Sequence, residues 1–284
     1  MQRRKFLQRE LLLGAAGMMP GISLASGWFG NSPPTVKAGN RMVLTIKDVE
    51  YAFRWCPPGT FMMGSPASEH ARNDNETQHQ VTLTRGFWML ETPTTQTMWE
   101  GVMGSNPSYF KGGKLPLESV SWNDCQEYIQ KLNGLDIAPS GYRFSLPTEA
   151  QWEYACRAGT TTPFRFGDTL NGDQANCDGN YPYGTEIAGT YLKKTSVAGA
   201  YPANVWGLYD MHGNVYEWCL DWYGDYPSGN LTDPTGAVEG SYRVLRGGYW
   251  GSFAGICRSA YRINDVPSFG SYCIGLRVSL VCNE

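Results

Sequence analysis

The sequence of 284 residues lacks several features by which common protein classes are identified. Its eight cysteines include no CxxC pair, which argues against a zinc ribbon or a thioredoxin-type redox site. No basic run follows the N-terminus and the net charge is −3, so nucleic-acid binding is not expected. Histidine occurs three times, and His212, which stands close to Glu217, has no recognisable Ser or Cys nucleophile beside it. We therefore interpret His212 as a surface or turn residue.

What the chain does contain is glycine and large rings. It has 34 glycines, 10 tryptophans and 17 tyrosines. With 42% hydrophobic and 17% charged residues it is typical of a globular protein, long enough to bury a sizeable core. This composition predicts a loop-rich protein in which large rings hold irregular backbone in place.

The N-terminal residues have the composition of a targeting signal. Residues 3–5 form a twin-arginine pattern, a short apolar run follows at 11–19, and residues 23–25 fit a small-x-small cleavage site. We predict a signal peptide at 1–25, a linker at 26–40 and a single domain at 41–284, with export to the bacterial periplasm or cell surface. The alternative is an amphipathic helix that stays on the protein. Export permits disulfides, but the pairing cannot be read from the sequence, and free buried thiols are equally compatible.

Apolar spacing and capping residues predict the regular elements. Strands are predicted at 42–46, 49–54, 81–84 and 87–90, with a further strand ending at 61–64. Thr95 is expected to cap a short helix that runs to Met103, and Thr148 to cap another with Glu149 near the helix dipole. An amphipathic helix carries Cys125, Tyr128, Ile129 and Leu132. Residues 159–204 have no regular pattern, and so long a loop needs large rings or a bound ion.

Residues 243–277 stand apart because their apolar residues follow neither a helical nor a strand period. Thirteen positions, which we call the contact positions, mix aromatic, small and polar side chains: Tyr249, Gly251, Ser252, Phe253, Tyr261, Ile263, Asn264, Asp265, Val266, Phe269, Ser271, Tyr272 and Cys273. Such a mixture is typical of binding surfaces, which combine rigid aromatic area with adaptable hydrogen bonding. The alternative interpretation is an ordinary irregular loop.

Five motifs, in order along the chain, carry a family resemblance. They are FMMG at 61–64, PLESVSW at 116–122, YRFSLPTEAQWEYA at 142–155, WGLYDMHGNVYEW at 206–218 and RVLRGG at 243–248. Together they resemble the formylglycine-generating-enzyme, or sulfatase-modifying factor, family over most of the chain. The resemblance implies an α+β fold of the C-type-lectin-like type, loop-rich, with small twisted antiparallel sheets and two main helices.

The chain departs from that family at its catalytic cysteines. The resemblance implies a closely spaced, copper-holding cysteine pair after Arg-Gly-Gly that oxidises a cysteine of a client sulfatase. Here that segment contains Cys257 alone, and Cys273 lies sixteen positions further on. A cuprous thiolate site needs both sulfurs. We therefore expect no catalytic residue, no copper and no sulfatase client, and interpret Cys257 as a small buried hydrophobe. The alternatives are a lone reactive thiolate or a copper oxidase of the family type.

Residues 243–277 resemble the variable region of diversity-generating-retroelement proteins more than they resemble the cysteine-containing segment of the formylglycine-generating enzymes. Many of these variable proteins carry runs of Asn in that region. Adenine-directed mutagenesis of an Asn codon ending in a pyrimidine can give Gly, Ser, Phe, Ile, Asp, Val, Tyr or Cys, among others, but never Lys, Glu, Gln, Met, Trp or a stop. None of the forbidden residues occurs at the contact positions. The resemblance implies a non-catalytic display protein, monomeric, that binds an unknown external ligand, expected to be a protein. Five residues are expected to hold the backbone while contact positions vary: Trp250, Arg258, Arg262, Pro267 and Gly275.

A cation site is suggested by the run from Asp210 to Glu217. Two carboxylates with carbonyls between them suit Ca²⁺ rather than a transition metal. The resemblance likewise implies a structural calcium ion held by the side chains of Asp210 and Glu217 and the carbonyls of Gly213 and Val215. The alternative is that the two carboxylates cap turns.

Overall fold

Twelve strands and three α-helices make up the regular structure of residues 36–283, the part of the chain that the computed structural model describes. The strands are β1 (Arg41–Ile46), β2 (Val49–Cys56), β3 (Gly59–Met63), β4 (His79–Leu83), β5 (Phe87–Leu90), β6 (Tyr142–Ser145), β7 (Tyr216–Trp222), β8 (Leu231–Thr232), β9 (Arg243–Arg246), β10 (Arg262–Asp265), β11 (Ile274–Leu276) and β12 (Ser279–Cys282). The helices are α1 (Gln96–Met103), α2 (Trp122–Asn133) and α3 (Glu149–Arg157), and a short 3₁₀ helix spans Ala254–Cys257. This loop-rich arrangement confirms the predicted α+β class, with three α-helices where the resemblance implied two main ones.

The predicted signal peptide at 1–25 and most of the predicted linker at 26–40 lie outside the described residues. Between residues 36 and 283, no helix combines the length and apolar character needed to cross a membrane.

Three sheets organise the chain. The largest has the order β1-β2-β5-β12-β6, a second the order β10-β9-β7-β11, and the smallest the order β3-β4-β8. Strand β12 pairs antiparallel with both β5 and β6, so the last strand fills a central place in the first sheet. Strand β10, which carries three contact positions, forms one edge of the second sheet.

The predicted helices form with the predicted caps. The side chain of Thr95 accepts a hydrogen bond from the backbone N–H of Met98, and Thr148 does the same for Gln151. Helix α2 begins after Ser121, whose hydroxyl accepts from the N–H of Asp124. Its apolar stripe is buried as predicted, namely Cys125, Tyr128, Ile129 and Leu132. These helices pack against the sheets: α1 contacts β2, α2 contacts β6, and α3 contacts β3, β7 and β9.

The segment between α3 and β7 contains no helix or strand in the described part of the chain, as predicted. Buried rings hold it in place. Phe164 is fully buried and contacts Tyr183 edge-on with ring centroids 5.3 Å apart. The backbone of Leu170 and that of Tyr183 exchange hydrogen bonds of 2.8 and 3.0 Å. Large rings therefore take the place of regular structure here.

Candidate functional site

Four buried arginines, which we call the arginine frame, bracket the contact positions. Each is at most 2% exposed and each pairs with a buried glutamate from another part of the chain. Arg246 pairs with Glu153, Arg258 with Glu76 at 2.8 Å, Arg262 with Glu149 at 2.7 Å and Arg277 with Glu217 at 2.8 Å. Because a buried charge is costly unless it is paired, each arginine is confined to one position.

Arginine pairing lowers the pKa of two glutamates of the frame, Glu149 and Glu76. Burial alone would raise the pKa of Glu149, but the charges of Arg262 and Arg246 and the hydrogen bonds of Arg262 hold it below its usual value. Burial likewise opposes the ionisation of Glu76, but the hydrogen bonds and the charge of Arg258 lower the pKa of this carboxyl below its usual value. Three pairs of the frame, those of Arg258, Arg262 and Arg277, are bidentate, which sets the orientation of each guanidinium.

Two glycines allow close backbone approaches beside the contact positions. Gly248 has φ +75°, and a Cβ there would lie 2.6 Å from the Sγ of Cys257. A Cβ on Gly275 would lie 2.2 Å from the carbonyl oxygen of Leu117. Neither position accepts a side chain without movement of its neighbours. This lack of space for a side chain is a physical reason for the expectation that Gly275 holds the backbone.

An aromatic surface lies between these fixed points, and we define it by five residues: Tyr109, Tyr191, Tyr249, Trp250 and Tyr272. The ring centroid of Trp250 lies 5.4 Å from that of Tyr249, 5.8 Å from that of Tyr272 and 6.5 Å from that of Tyr191. The ring of Tyr109 lies 6.1 Å from that of Tyr272. Tyr109 is 72% exposed and Tyr272 is 47% exposed, while the other three are half-buried. Rings from three separate segments thus meet at one partly exposed place.

Sequence reasoning missed two members of the aromatic surface. Tyr109 follows α1 and Tyr191 belongs to the long irregular segment, so both lie outside residues 243–277. The usable signal was the placement of single rings in segments rich in glycine and proline, which have no core face of their own. Nothing in the sequence indicates which segments meet.

Phe253 is exposed but lies outside the aromatic surface, and Ser252 is buried. Phe253 is 49% exposed, and its ring centroid lies 4.1 Å from that of Tyr181. Ser252 is 2% exposed, and its Oγ accepts a hydrogen bond from the backbone N–H of Tyr249. The expectation that Ser252 contacts a ligand is therefore wrong, since its hydroxyl stabilises the local turn.

The remaining contact positions reach the surface to different degrees. Val266 and Phe269 are exposed, and Gly251, Tyr261, Ile263, Asn264, Asp265, Ser271 and Cys273 are half-buried. Ile263 and Cys273 pack partly against the main core, so they support the surface from below. The turn from Val266 to Phe269 rests on α2, where the carbonyl of Pro267 accepts from the backbone N–H of Asn123. The structure therefore brings Tyr249 and Tyr272 together but places Phe269 on a separate turn.

Cys257 is buried, as expected, yet it is not alone. Cys177 belongs to the same buried cluster, and its neighbouring thiol together with burial raises the pKa of Cys257 well above its usual value. All eight cysteines are free thiols. A protonated thiol in an apolar cluster is a poor nucleophile and a poor metal ligand. The partner Cys177, eighty positions earlier, could not be found from spacing.

His212 is a core residue, and the prediction of a surface position is wrong. It is 3% exposed, with Nδ1 2.8 Å from the carbonyl oxygen of Cys257 and Nε2 accepting from the backbone N–H of Arg165. Burial lowers its pKa to about 3. Because the ring is neutral and both nitrogens are occupied, His212 cross-links three loops and offers no free base.

The predicted calcium ligands lie close together, but they fit a cation poorly. Both oxygens of Glu217 accept from Arg277, and one also accepts from the indole of Trp152 at 2.7 Å. The carbonyl of Gly213 accepts from the backbone N–H of Val215.

Asp210 is the better ligand of the set. It accepts from the N–H of Gly199, and burial raises its pKa to about 6. Within residues 36–283, no three His, Cys, Asp or Glu side chains form a metal-binding group. The structural calcium ion stays a prediction, and the proposed function does not depend on it.

Comparison with known proteins places this geometry in a family. Residues 49–281 match the family described as sulfatase-modifying factor enzyme 1-like domain. The formylglycine-generating enzyme of Streptomyces coelicolor is 35% identical over 172 residues, which cover 57% of this chain and 51% of that enzyme. The chain spans between about a quarter and about half of the length of this enzyme and of two other curated relatives that it matches.

Two solved structures share the fold over nearly their whole length. Treponema denticola variable protein 1 aligns with a TM-score of 0.74 and 27% identity, covering 86% of this chain and 99% of that one. PvdO from Pseudomonas aeruginosa aligns with a TM-score of 0.72 and 27% identity, covering 86% and 98%. These similarities confirm the C-type-lectin-like fold. With the match running from β2 to β12, the chain belongs to the sulfatase-modifying factor enzyme 1-like family.

Proposed function

We propose that this chain is a non-catalytic display protein whose contact positions, held by the arginine frame, form a diversified ligand-binding surface. One observation carries the proposal. Two contact positions, Tyr249 and Tyr272, surround Trp250 in a partly exposed aromatic surface, while the residues on either side are confined by buried ion pairs.

The aromatic surface has the physical properties of a binding site. Tyrosine and tryptophan offer large contact areas with few rotatable bonds, so little conformational entropy is lost when a ligand binds them. Partly exposed rings that cluster also leave apolar area in water, which binding would remove. Tyr272, at 47% exposure, retains enough area to act as an anchor.

The division between surface and frame supports diversification. Exposed residues such as Phe253, Val266 and Tyr272 can be exchanged at a cost of about 0.5 kcal/mol or less. Removal of one partner of a buried ion pair costs about 3–5 kcal/mol. Side chains at the surface can therefore change while the backbone beneath them stays the same. The similarity to Treponema denticola variable protein 1 points in the same direction.

For the partner we propose a protein outside the cell, bound by a monomer that is exported through the twin-arginine signal at its N-terminus. The aromatic surface carries tyrosine hydroxyls beside apolar rings, a combination suited to protein surfaces. The net charge of −3 opposes binding to nucleic acid. Proteolytic mapping of the N-terminus after expression in a bacterium with twin-arginine transport tests export, because a chain that keeps residues 1–25 in the cytoplasm contradicts it.

The binding test uses the full-length chain and a phage-displayed random-peptide library as the probe. Peptides enriched on the wild type are synthesised, and their Kd is measured for the wild type, Tyr272→Ser and Tyr242→Ser. Tyr242 is the matched control, since it is also 47% exposed but lies outside the aromatic surface. We expect Tyr272→Ser to weaken binding about tenfold or more and the control to leave it unchanged. Equal affinity for all three proteins contradicts the proposal.

A copper oxidase of the formylglycine-generating type is the second candidate, and the contact between Cys177 and Cys257 favours it. Two sulfurs are the donors that a cuprous ion prefers. Both thiols are fully buried, however, and Cys257 is protonated at neutral pH. Titration with Cu(I) and incubation with a cysteine-containing sulfatase peptide distinguish the two functions. We expect neither tight copper binding nor oxidation of the peptide. Copper binding that is lost in Cys177→Ala, together with oxidation, would establish the enzyme.

A further inference from the structure

A cavity of about 300 Å³ lies between the start of α3 and the loop that follows β7. Its apolar walls include Met63, Trp222, Leu231 and Ala237, and its polar groups include His79 and Asp221. No member of the aromatic surface lines it. The volume is at the lower end of the range of about 300–1,000 Å³ for ligand pockets, so it suits a small molecule.

His79 presents an unpartnered hydrogen-bond acceptor in this cavity. The side chain belongs to a residue that is 7% exposed, and its ring lies 4.7 Å from that of Tyr226 between centroids. Nδ1 lies 2.9 Å from the carbonyl oxygen of Thr77, which can only accept, so Nδ1 holds the proton of the neutral ring. Nε2 is then an acceptor, and it is buried without a hydrogen-bond partner. A buried acceptor of this kind calls for a donor from a ligand.

The charged groups that line the cavity are mostly acidic: Glu149, Asp221, Asp225 and Asp233 against Arg262. Arg262 is already engaged by Glu149 through hydrogen bonds of 2.7 and 2.8 Å. Asp233 is held by the backbone and hydroxyl of Thr84. The residues that line the cavity therefore include more acidic side chains than basic ones, and the guanidinium of Arg262 is already paired.

Asp221 shows the consequence of that excess. It is 3% exposed, and one oxygen accepts from the backbone N–H of Glu149 at 2.8 Å. Burial and the nearby Glu149 carboxylate raise its pKa to about 8. A positive charge placed beside Asp221 would favour its ionised form and lower this pKa.

We propose that this cavity binds a small organic amine in its ammonium form, which donates to Nε2 of His79 and favours the ionised form of Asp221. The apolar part of the amine packs against Trp222 and Leu231. An anion is repelled by the acidic lining, and an alcohol supplies a donor without the charge. The site is separate from the aromatic surface and does not depend on the proposed function.

The test is isothermal titration of the full-length chain with benzylamine, with benzyl alcohol and benzoate as matched probes. Saturable binding of benzylamine, about tenfold or more tighter than that of the other two, is expected. Absence of saturation at millimolar concentrations, or equal binding of the alcohol or the acid, overturns the proposal.

Variants locate the site. His79→Phe removes the acceptor and Asp221→Asn removes the charge while keeping an oxygen for the N–H of Glu149, so each is expected to weaken benzylamine binding about tenfold. Glu127→Gln is the matched control, because it removes an acidic group on the exposed face of α2. Ala237→Leu fills the cavity without touching His79 and is expected to abolish binding. If His79→Phe does not fold, Asp221→Asn and Ala237→Leu still test the site, and undiminished benzylamine binding in both overturns the proposal.

Discussion

Replacement of Glu76 by glutamine tests the arginine frame most directly. Glu76 and Arg258 are both fully buried, and two hydrogen bonds of 2.8 Å join them. Loss of the Glu76 charge leaves Arg258 with Glu69, at 2.5 Å, as its remaining carboxylate. Because removal of one partner of a buried pair costs about 3–5 kcal/mol and a second carboxylate remains, we expect the free energy of unfolding to fall by about 3 kcal/mol.

Urea unfolding of Glu76→Gln, followed by tryptophan fluorescence and by circular dichroism, measures this loss. With slopes of about 1–3 kcal/mol per molar urea, the midpoint should fall by about 1–3 M. The matched control is Glu127→Gln, whose exposed pair with Lys131 is expected to contribute about 0.5 kcal/mol or less. Arg258→Met combined with Glu76→Gln and Glu69→Gln should recover part of the loss, since neither a guanidinium nor a carboxylate then stays buried without a partner.

The pH dependence gives an independent measure of the same pair. The pKa of Glu76 is lowered in the folded protein, so its stabilising contribution is present above the unfolded pKa and is lost as pH falls through the folded pKa. The difference between wild type and Glu76→Gln should therefore shrink in acid. A loss below about 1 kcal/mol at neutral pH, equal to that of the exposed control, would refute the view that the frame holds these segments.

Three further outcomes follow from described contacts. The pKa of Asp221 is raised to about 8, so its contribution to the free energy of unfolding is full below its pKa in the unfolded chain and is lost as pH rises toward 8. Asp221→Asn should therefore unfold at a higher urea concentration than the wild type near pH 8, and its stability should lack this dependence on pH. Gly275→Ala should lower the melting temperature sharply, since the new Cβ would lie 2.2 Å from the carbonyl oxygen of Leu117; an unchanged melting temperature contradicts this. Cys257 should react with a disulfide reagent only after unfolding, and rapid labelling of the native chain would show that it is accessible.

Local features could be predicted from the sequence because their causes are local. The α2 stripe and the caps at Thr95 and Thr148 depend on residues within four positions of each other, and the structure confirms them. The family motifs likewise predicted the fold, since they record tertiary context that periodicity does not contain.

The arginine frame could not be predicted, because its partners are far apart in the chain. Arg258 lies 182 positions from Glu76, and Arg262 lies 113 positions from Glu149. The family pattern indicated that Arg258 and Arg262 hold the backbone, but not by what means. The sequence alone indicates an interaction of Glu149 with the dipole of its own helix, because the guanidinium that pairs with it comes from a distant strand.

The candidate site was predicted in part. The absence of periodicity at 243–277 agrees with the exposure of Phe253, Val266, Phe269 and Tyr272. It cannot distinguish a turn-stabilising hydroxyl such as that of Ser252 from an exposed one. The rings of Tyr109 and Tyr191 were missed because membership of a surface is decided by which loops meet.

The central position of β12 has a consequence for biosynthesis. Ser279–Cys282 pairs with β5 and β6, so the five-stranded sheet cannot close until the ribosome has passed the whole of residues 243–277. A nonsense codon anywhere in that stretch would leave two strands with unpaired backbone, and such a product would be degraded or aggregate. Only chains translated to the last strand can complete the domain, so the order of synthesis itself keeps incomplete versions from folding.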